Sequence, residues 1–181
     1  MITTKEALER FEKTATYYIH ELNQFSLEQL QAKPSDNEWS MGQMIRHLIN
    51  SALYMQLRNI EQCLASDQDQ QGLQLEKTER GAAAFAQGSF PPIRIQVPPS
   101  PEYTPEQPET KEQLSQGLQT VIQRMKDIEP DLEQASKLNT IAHPSFGGLC
   151  AEEWFLLVEM HYRHHLLQWD RLKQGLVQGA R

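Results

Sequence analysis

The chain has 181 residues, of which 39% are hydrophobic and 23% are charged, and its formal net charge is −7. The composition is that of a globular protein, and the length predicts a single domain over residues 1–181 with one core. The acidic balance and the lack of a Lys/Arg cluster argue against a nucleic-acid partner. No apolar run is long enough for a membrane span, and the first residues lack an apolar signal segment. We therefore expect a cytoplasmic protein that binds neither nucleic acid nor membrane.

Apolar residues at helical spacing predict a first helix over about residues 5–24. Thr3 and Glu6 have the spacing of a capping box, in which each satisfies a backbone N–H of the other. A shorter helical piece is expected over residues 26–31, and it ends before Pro34. The first part of the chain is therefore predicted to be one long helix followed by a short one.

The next two helical patterns are also long. The second helix is predicted to begin after Ser40, which forms another capping box with Gln43, and to fade near Ser66. The third is predicted to start at Thr110 and to be interrupted by Pro130, because proline lacks the N–H that a helix interior requires. Both patterns predict amphipathic helices that pack against a core.

The fourth pattern predicts a helix over about residues 151–174, with Gly175 as its stop. Cys150 stands where a Ser or Thr would cap the helix better, so the start is expected to be weak. In a reducing compartment Cys63 and Cys150 are expected to be free thiols. We interpret Cys150 as a buried filler rather than a nucleophile.

A long connection, residues 66–109, separates the second and third helices. Residues 73–85 could form a helix, but the rest is interrupted by prolines at positions 91, 92, 98, 99, 101, 105 and 108. A short loop forces antiparallel packing, whereas a long crossover allows neighbouring helices to be parallel. The pattern thus predicts an all-α four-helix bundle with up-down-down-up topology and a long Pro-rich crossover. Whether the crossover is a lid or a surface excursion stays open.

Two histidines in the fourth helix, His161 and His165, are spaced so that both lie on one face. This face carries an apolar stripe that includes Trp154 and Trp169, so both imidazoles are expected to point inward. An unpartnered imidazole is costly there, and a shared metal ion would satisfy the pair. His47, near the start of the second helix, is the best candidate for a third ligand. Three neutral imidazoles suit Zn²⁺, Ni²⁺, Fe²⁺ or Co²⁺.

Other interpretations of these histidines stay open at this point. Each could be an ordinary hydrogen-bonded residue, and periodicity alone does not exclude a pair of His161 with His164 instead of His165. His20 falls on a polar edge and is expected to be solvated. His143 precedes a proline, which favours extended backbone, and is interpreted as a loop residue.

Three sequence motifs carry a family resemblance: Trp-Ser at 39–40 with His47, His-Pro-Ser-Phe-Gly at 143–147, and the terminal His161-x-x-x-His165-x-x-Gln168. In order and spacing the chain resembles the DinB/YfiT-like superfamily over nearly its whole length. The resemblance implies a four-helix bundle with a long crossover and a divalent metal on His47, His161 and His165. Gln168 either supports that site or makes an unrelated packing or surface contact.

The resemblance also implies a function, because this superfamily includes metal-dependent hydrolases and transferases that use low-molecular-weight thiols. The expected substrate is a small molecule, with such a thiol as one candidate. Glu159 and Asp170 are predicted to face away from the histidines, so no general base is identified and thiol chemistry is slightly favoured. The alternative is a non-catalytic bundle that binds a metal or ligand and could be a homodimer.

Overall fold

The computed structural model describes residues 2–65, 74–92 and 104–179. Within these ranges the α-helices are α1 (Thr4–Leu22), α2 (Leu27–Gln31), α3 (Met41–Ser51), α4 (Leu57–Ala65), α5 (Glu79–Gln87), α6 (Lys111–Ile128), α7 (Ala151–His164) and α8 (Leu166–Gly179). A π-helical turn, Ala52–Gln56, joins α3 to α4, and a 3₁₀ turn, Glu129–Gln134, follows α6. Two antiparallel strands, β1 (Thr140–His143) and β2 (Gly147–Cys150), form a hairpin before α7. None of the helices described combines the length and apolar character that crossing a membrane would require.

The bundle has four long helices, namely α1, α3 with α4, α6, and α7 with α8, and contacts between them fix their directions. Helix α1 is antiparallel to α6 and parallel to α7 with α8, as these pairs show: Thr4 with Glu129, Glu12 with Lys126, Phe11 with Tyr162, and Glu21 with Lys173. The helix formed by α3 and α4 is parallel to α6, as two further pairs show: Ile49 with Gly117, and Glu61 with Arg124. The all-α bundle with up-down-down-up topology is therefore confirmed, with the small hairpin as an addition.

The core spans all four bundle helices, and its largest aromatic rings lie where α1 meets α7 and α8. Phe11 packs edge-to-face on Tyr162 with ring centroids 4.9 Å apart, and Tyr18 packs on Trp169 at 5.5 Å. The Tyr18 hydroxyl donates to the backbone oxygen of Tyr162 at 3.0 Å. The predicted apolar stripe of the fourth helix is confirmed as core, since Trp154 and Trp169 are fully buried. This packing fixes the rotation of the fourth helix and hence the direction of its histidines.

The predicted helix starts are confirmed by their caps. The Thr3 hydroxyl accepts from the Glu6 N–H at 3.2 Å, and the Ser40 hydroxyl accepts from the Gln43 N–H at 3.1 Å. In both cases the side chain of the later residue accepts in return from the backbone N–H of the earlier one. The second bundle helix then continues through its π-helical turn to Ala65, a turn that the sequence pattern did not predict.

The fourth bundle helix differs from its prediction in two respects. It is interrupted at His165 between α7 and α8, and it passes Gly175 to end at Gly179, so the predicted stop at Gly175 was wrong. Glycine costs a helix only about 1 kcal/mol, and it ends one only where the backbone turns left-handed, which does not happen at Gly175. At the start, the Cys150 N–H donates to the Glu153 carboxylate at 3.1 Å, which caps α7 without a Ser or Thr.

Residues 76–78 of the crossover run along the hairpin, and the sequence pattern predicted neither the hairpin nor this contact. The Gly148 N–H donates to the Glu76 oxygen at 2.9 Å, and the Thr78 N–H donates to the Phe146 oxygen at the same distance. Helix α5 starts at Glu79, several residues after the predicted start at position 73, which lies outside the described residues. The proposed lid role concerns residues 66–73 and 93–103 as well, and these too lie outside the described residues.

Candidate metal centre

Three histidine side chains from two bundle helices converge at one point. His47 comes from α3, His161 from α7, and His165 from the junction of α7 and α8. The Nε2 atom of His161 lies 3.1 Å from Nε2 of His47 and 3.1 Å from Nε2 of His165. The structure thus brings together the three residues that the sequence predicted as ligands.

The separation of these nitrogens matches what a metal ion requires. Zinc binds imidazole nitrogen at about 2.0–2.1 Å, so two ligands at 90° to 109° around one ion lie about 2.9–3.4 Å apart. The observed 3.1 Å falls inside that range. Among the described residues, these histidines are the one group of three or more His, Cys, Asp or Glu side chains whose ligand atoms lie close enough to hold an ion together. The residues present therefore fit a divalent metal.

Gln168 orients one of the histidines. Its Oε1 lies 2.8 Å from Nδ1 of His165, and an amide oxygen can only accept. Nδ1 must therefore carry the proton, which leaves the lone pair on Nε2 facing the other two histidines. This arrangement of a ligand with a hydrogen-bonded outer nitrogen is typical of metal sites. Of the two open interpretations of Gln168, the structure supports the contact with the site.

Burial keeps the histidines of the centre neutral. It lowers the pKa of His47 to about 4 and that of His165 to about 3. The pKa of His161 is lowered well below 6.5 by burial and then by the neighbouring histidines. Neutral imidazole is the form that binds a metal, so no proton has to be displaced at neutral pH.

His164 is not part of the cluster. Its ring lies 5.7 Å from the His165 ring and 5.6 Å edge-to-face from Phe90, on the side of the crossover. The alternative pair of His161 with His164 is therefore not the one that the fold assembles. His20 is exposed on α1, as predicted.

The carboxylates of the fourth helix do not reach the cluster. Glu159 is buried, and both of its oxygens accept from Arg163, at 2.7 Å and 2.9 Å. Arg163 also donates to the backbone oxygen of Gly88 at 2.7 Å, which ties the end of α5 to the fourth helix. Asp170 is exposed. This Arg163 contact was missed by the sequence interpretation, because nothing in the spacing reveals a partner on the crossover.

Aromatic rings pack beside the centre and on the neighbouring hairpin. Trp39 lies 5.0 Å from the His47 ring, and Phe90 of the crossover stacks on Phe146 of the hairpin at 5.4 Å. His143 stacks on the same Phe146 ring at 4.5 Å. His143 is the last residue of β1, so its predicted extended backbone is confirmed and its assignment to a loop was wrong. A separate cavity of about 310 Å³ at Cys63 and its neighbours shares no residue with the centre.

The fold and the site define a class of protein: an all-α bundle with a three-histidine group that could hold a divalent metal ion. The model of the DinB superfamily matches residues 10–169, most of the chain, and the protein belongs to this superfamily. Comparison with curated proteins gives no match, and comparison with solved structures gives none either.

Proposed function

We propose that the protein is a metal-dependent enzyme that acts on a small molecule, and that it transfers a low-molecular-weight thiol to an electrophilic substrate. The observation that carries the proposal is the convergence of three neutral Nε2 atoms, with no carboxylate among the described residues at the same point. A structural zinc site normally closes all four positions with protein ligands. A three-histidine group leaves at least one position for a substrate.

The missing carboxylate favours thiol transfer over hydrolysis. Hydrolysis calls for a general base that takes a proton from water, and the buried Glu159 is occupied by Arg163. In thiol transfer the thiolate sulfur forms a C–S bond to the substrate carbon, and the leaving group departs into solvent with the electron pair of its broken bond to carbon. The proton of the S–H bond also goes to solvent. A divalent ion, when bound, supplies the positive charge that lowers the pKa of a thiol. No carboxylate base is then required.

The residues of the chain perform the remaining tasks. His47, His161 and His165 would hold the ion, and Gln168 keeps the His165 ring in the tautomer that directs its lone pair inward. The surrounding bundle partly buries all three imidazoles. Because the low pKa values keep the imidazoles neutral, they can bind a metal at neutral pH without losing a proton. The proposed setting is the cytoplasm, where both free cysteines stay reduced.

The test begins with the metal content of protein purified without an affinity tag. Samples loaded with zinc, nickel, iron or cobalt are then assayed with glutathione or cysteine plus an activated aryl chloride, and separately with simple esters and amides. We expect turnover of the thiol pair by the wild type, none by His161→Ala, and wild-type turnover by the matched control His164→Ala.

Three results would contradict the proposal in different ways. Turnover of esters or amides alone would make the protein a hydrolase. Equal inactivity of wild type and His161→Ala on both sets of substrates, with the fold intact, would favour a non-catalytic binding protein. Loss of metal in His164→Ala with retention in His47→Ala would show that the ligands were chosen wrongly.

A further inference from the structure

His143 is held in one defined tautomer by the hairpin turn. Its Nδ1 accepts from two backbone N–H groups, that of Ser145 at 3.0 Å and that of Phe146 at 3.2 Å. In a neutral imidazole, the nitrogen that accepts has no proton and the other nitrogen carries it. Nε2 of His143 is therefore an N–H donor.

This donor has no protein partner. In the described part of the chain no acceptor faces Nε2 of His143, although the ring is partly buried between Phe146 and Trp154. Burial, together with the positive charge of Arg80, lowers the pKa of His143 to about 4. The ring thus stays a neutral donor at physiological pH, the state in which a histidine can donate to a substrate oxygen without giving up a proton.

The ring on which His143 stacks also makes a cation–π contact. The guanidinium carbon of Arg80 is 5.8 Å from the centre of the Phe146 ring, on which His143 also stacks. Arg80 has no carboxylate partner among the residues that the structure describes. A neutral N–H donor and a guanidinium that share one aromatic ring both suit an anionic oxygen acceptor, and a carboxylate is a planar group of this kind.

The distance from His143 to the histidine centre sets the size of the ligand. The His143 ring is 5.3 Å from that of Trp154, which precedes His161 by two helical turns. Two turns correspond to about 10 Å along the helix axis. Phe90 contacts both Phe146 and His164, so the aromatic cluster extends from the hairpin to the helix that carries the centre.

We propose that His143 Nε2–H, supported by the Arg80 guanidinium, binds a carboxylate of the substrate while the reacting group lies at the three-histidine centre. The proposal rests on the function proposed above and adds the substrate class: a carboxylate separated from its reacting group by a chain of several carbon atoms. The carboxylate of such a ligand can accept from His143 Nε2–H while its reacting group lies at the three-histidine centre. A short or uncharged ligand can reach only the three-histidine centre.

The test measures binding to the metal-loaded protein by calorimetry, with mercaptoacetate and mercaptohexanoate as probes and mercaptoethanol and mercaptohexanol as their uncharged controls. We expect mercaptohexanoate to bind more tightly than mercaptohexanol, and the two short probes to bind alike. A hydrogen bond to a charged group corresponds to a factor of about ten to a hundred in affinity.

Two substitutions separate the donor from the structural role of the ring. In His143→Asn the side-chain oxygen can still accept from the Ser145 and Phe146 N–H groups, but the Nε2 donor is gone. In His143→Gln an amide N–H can reach the former Nε2 position, while the turn loses its acceptor. We expect His143→Asn to keep the thermal stability and lose the preference for mercaptohexanoate, and His143→Gln to lose stability and keep part of the preference.

The outcomes distinguish the proposed carboxylate site at His143 from the proposed thiol transfer at the three-histidine centre. The carboxylate site is wrong, and the thiol-transfer proposal stands, if all four thiols bind and mercaptohexanoate binds no more tightly than mercaptohexanol. The same conclusion follows if His143→Asn still binds mercaptohexanoate more tightly than mercaptohexanol. If no thiol binds, the thiol-transfer proposal fails, and a second measurement decides on His143. Benzoate is then titrated into metal-free protein while the His143 Nε2 proton is followed by NMR, and an unchanged resonance overturns the carboxylate site.

Discussion

Gln168→Met is expected to weaken metal binding without changing the fold. The side chain keeps its length and loses the oxygen that lies 2.8 Å from Nδ1 of His165. Without this acceptor, the His165 ring can rotate and can adopt the other tautomer, in which Nε2 carries the proton and no longer binds a metal. The effect therefore reaches the ion through His165 alone, while His47 and His161 keep their positions.

The magnitude follows from the position of the contact. Loss of a hydrogen-bond partner behind a ligating histidine costs about 10- to 100-fold in metal affinity. Gln168 is only partly buried, so a water molecule can replace its oxygen in the variant. We therefore expect the lower end of the range, about tenfold, which corresponds to about 1.4 kcal/mol.

The assay is competition with a chromophoric chelator for zinc or cobalt, at constant pH. Gln168→Glu serves as the first control, because a carboxylate accepts more strongly and should keep or raise the affinity. Gln174→Met is the second, since Gln174 is exposed on the same helix. Unchanged affinity of Gln168→Met would show that the contact is incidental. Equal weakening by Gln168→Glu would show that the amide donates to Nδ1, and the tautomer assigned to His165 would be wrong.

Further predictions concern the stability of the frame around the centre. Arg163→Met should lower the free energy of unfolding by about 3–5 kcal/mol in urea titrations, because it leaves the buried Glu159 carboxylate unpaired. The double variant Arg163→Met with Glu159→Leu should recover most of this loss. An equal loss in the single and the double variant would show that the unpaired carboxylate is not the cause. The pKa of His143 is about 4 in the folded protein and about 6.5 unfolded, so between these values the unfolded chain binds more protons and stability falls as the pH is lowered. Between pH 6.5 and pH 4, the free energy of unfolding of the metal-free wild type should fall by on the order of 1 kcal/mol more than that of His143→Asn, after allowance for the exposed part of the ring. Parallel curves of unfolding free energy against pH for the two proteins would contradict this expectation. Gly148→Ala should lower the free energy of unfolding by about 1–3 kcal/mol in thermal unfolding, since a Cβ there would clash with the carbonyl oxygen of Leu75 in the crossover. Gly175→Ala meets nothing within 4 Å and should be neutral or stabilising. A cost at Gly175 equal to that at Gly148 would show that the close approach is not the cause.

The sequence predicted the helices of the bundle because the patterns that specify a helix involve residues close together in the chain. Capping pairs such as Thr3 with Glu6 are three residues apart, and the apolar residues of each helix repeat within a few turns. The length of the crossover alone indicated that the second and third helices are parallel. The same locality explains the error at Gly175, since glycine is compatible with both a helix interior and a helix end, and only the backbone angle decides between them.

The candidate site was only partly determined by the sequence. The spacing of His161 and His165 placed both on one helical face, but His164 could not be excluded, because a few tens of degrees of helix rotation decide between them. The packing of Trp154 and Trp169 against α1 fixes that rotation in the folded protein. The approach of His47 depends on two helices far apart in the chain, and for it the resemblance supplied what the spacing did not.

Other features existed only once the chain had folded. The hairpin of β1 and β2 is stabilised in part by the crossover segment that bonds to it, a pairing between residues about 70 positions apart. The tautomer of His143 follows from the turn that this hairpin makes, and Arg163 finds its second acceptor at the end of α5. Local pattern thus determined which residues form the helices and which histidines could meet, whereas hydrogen bonds between distant segments decided which imidazole nitrogens carry protons and which carboxylates are already paired.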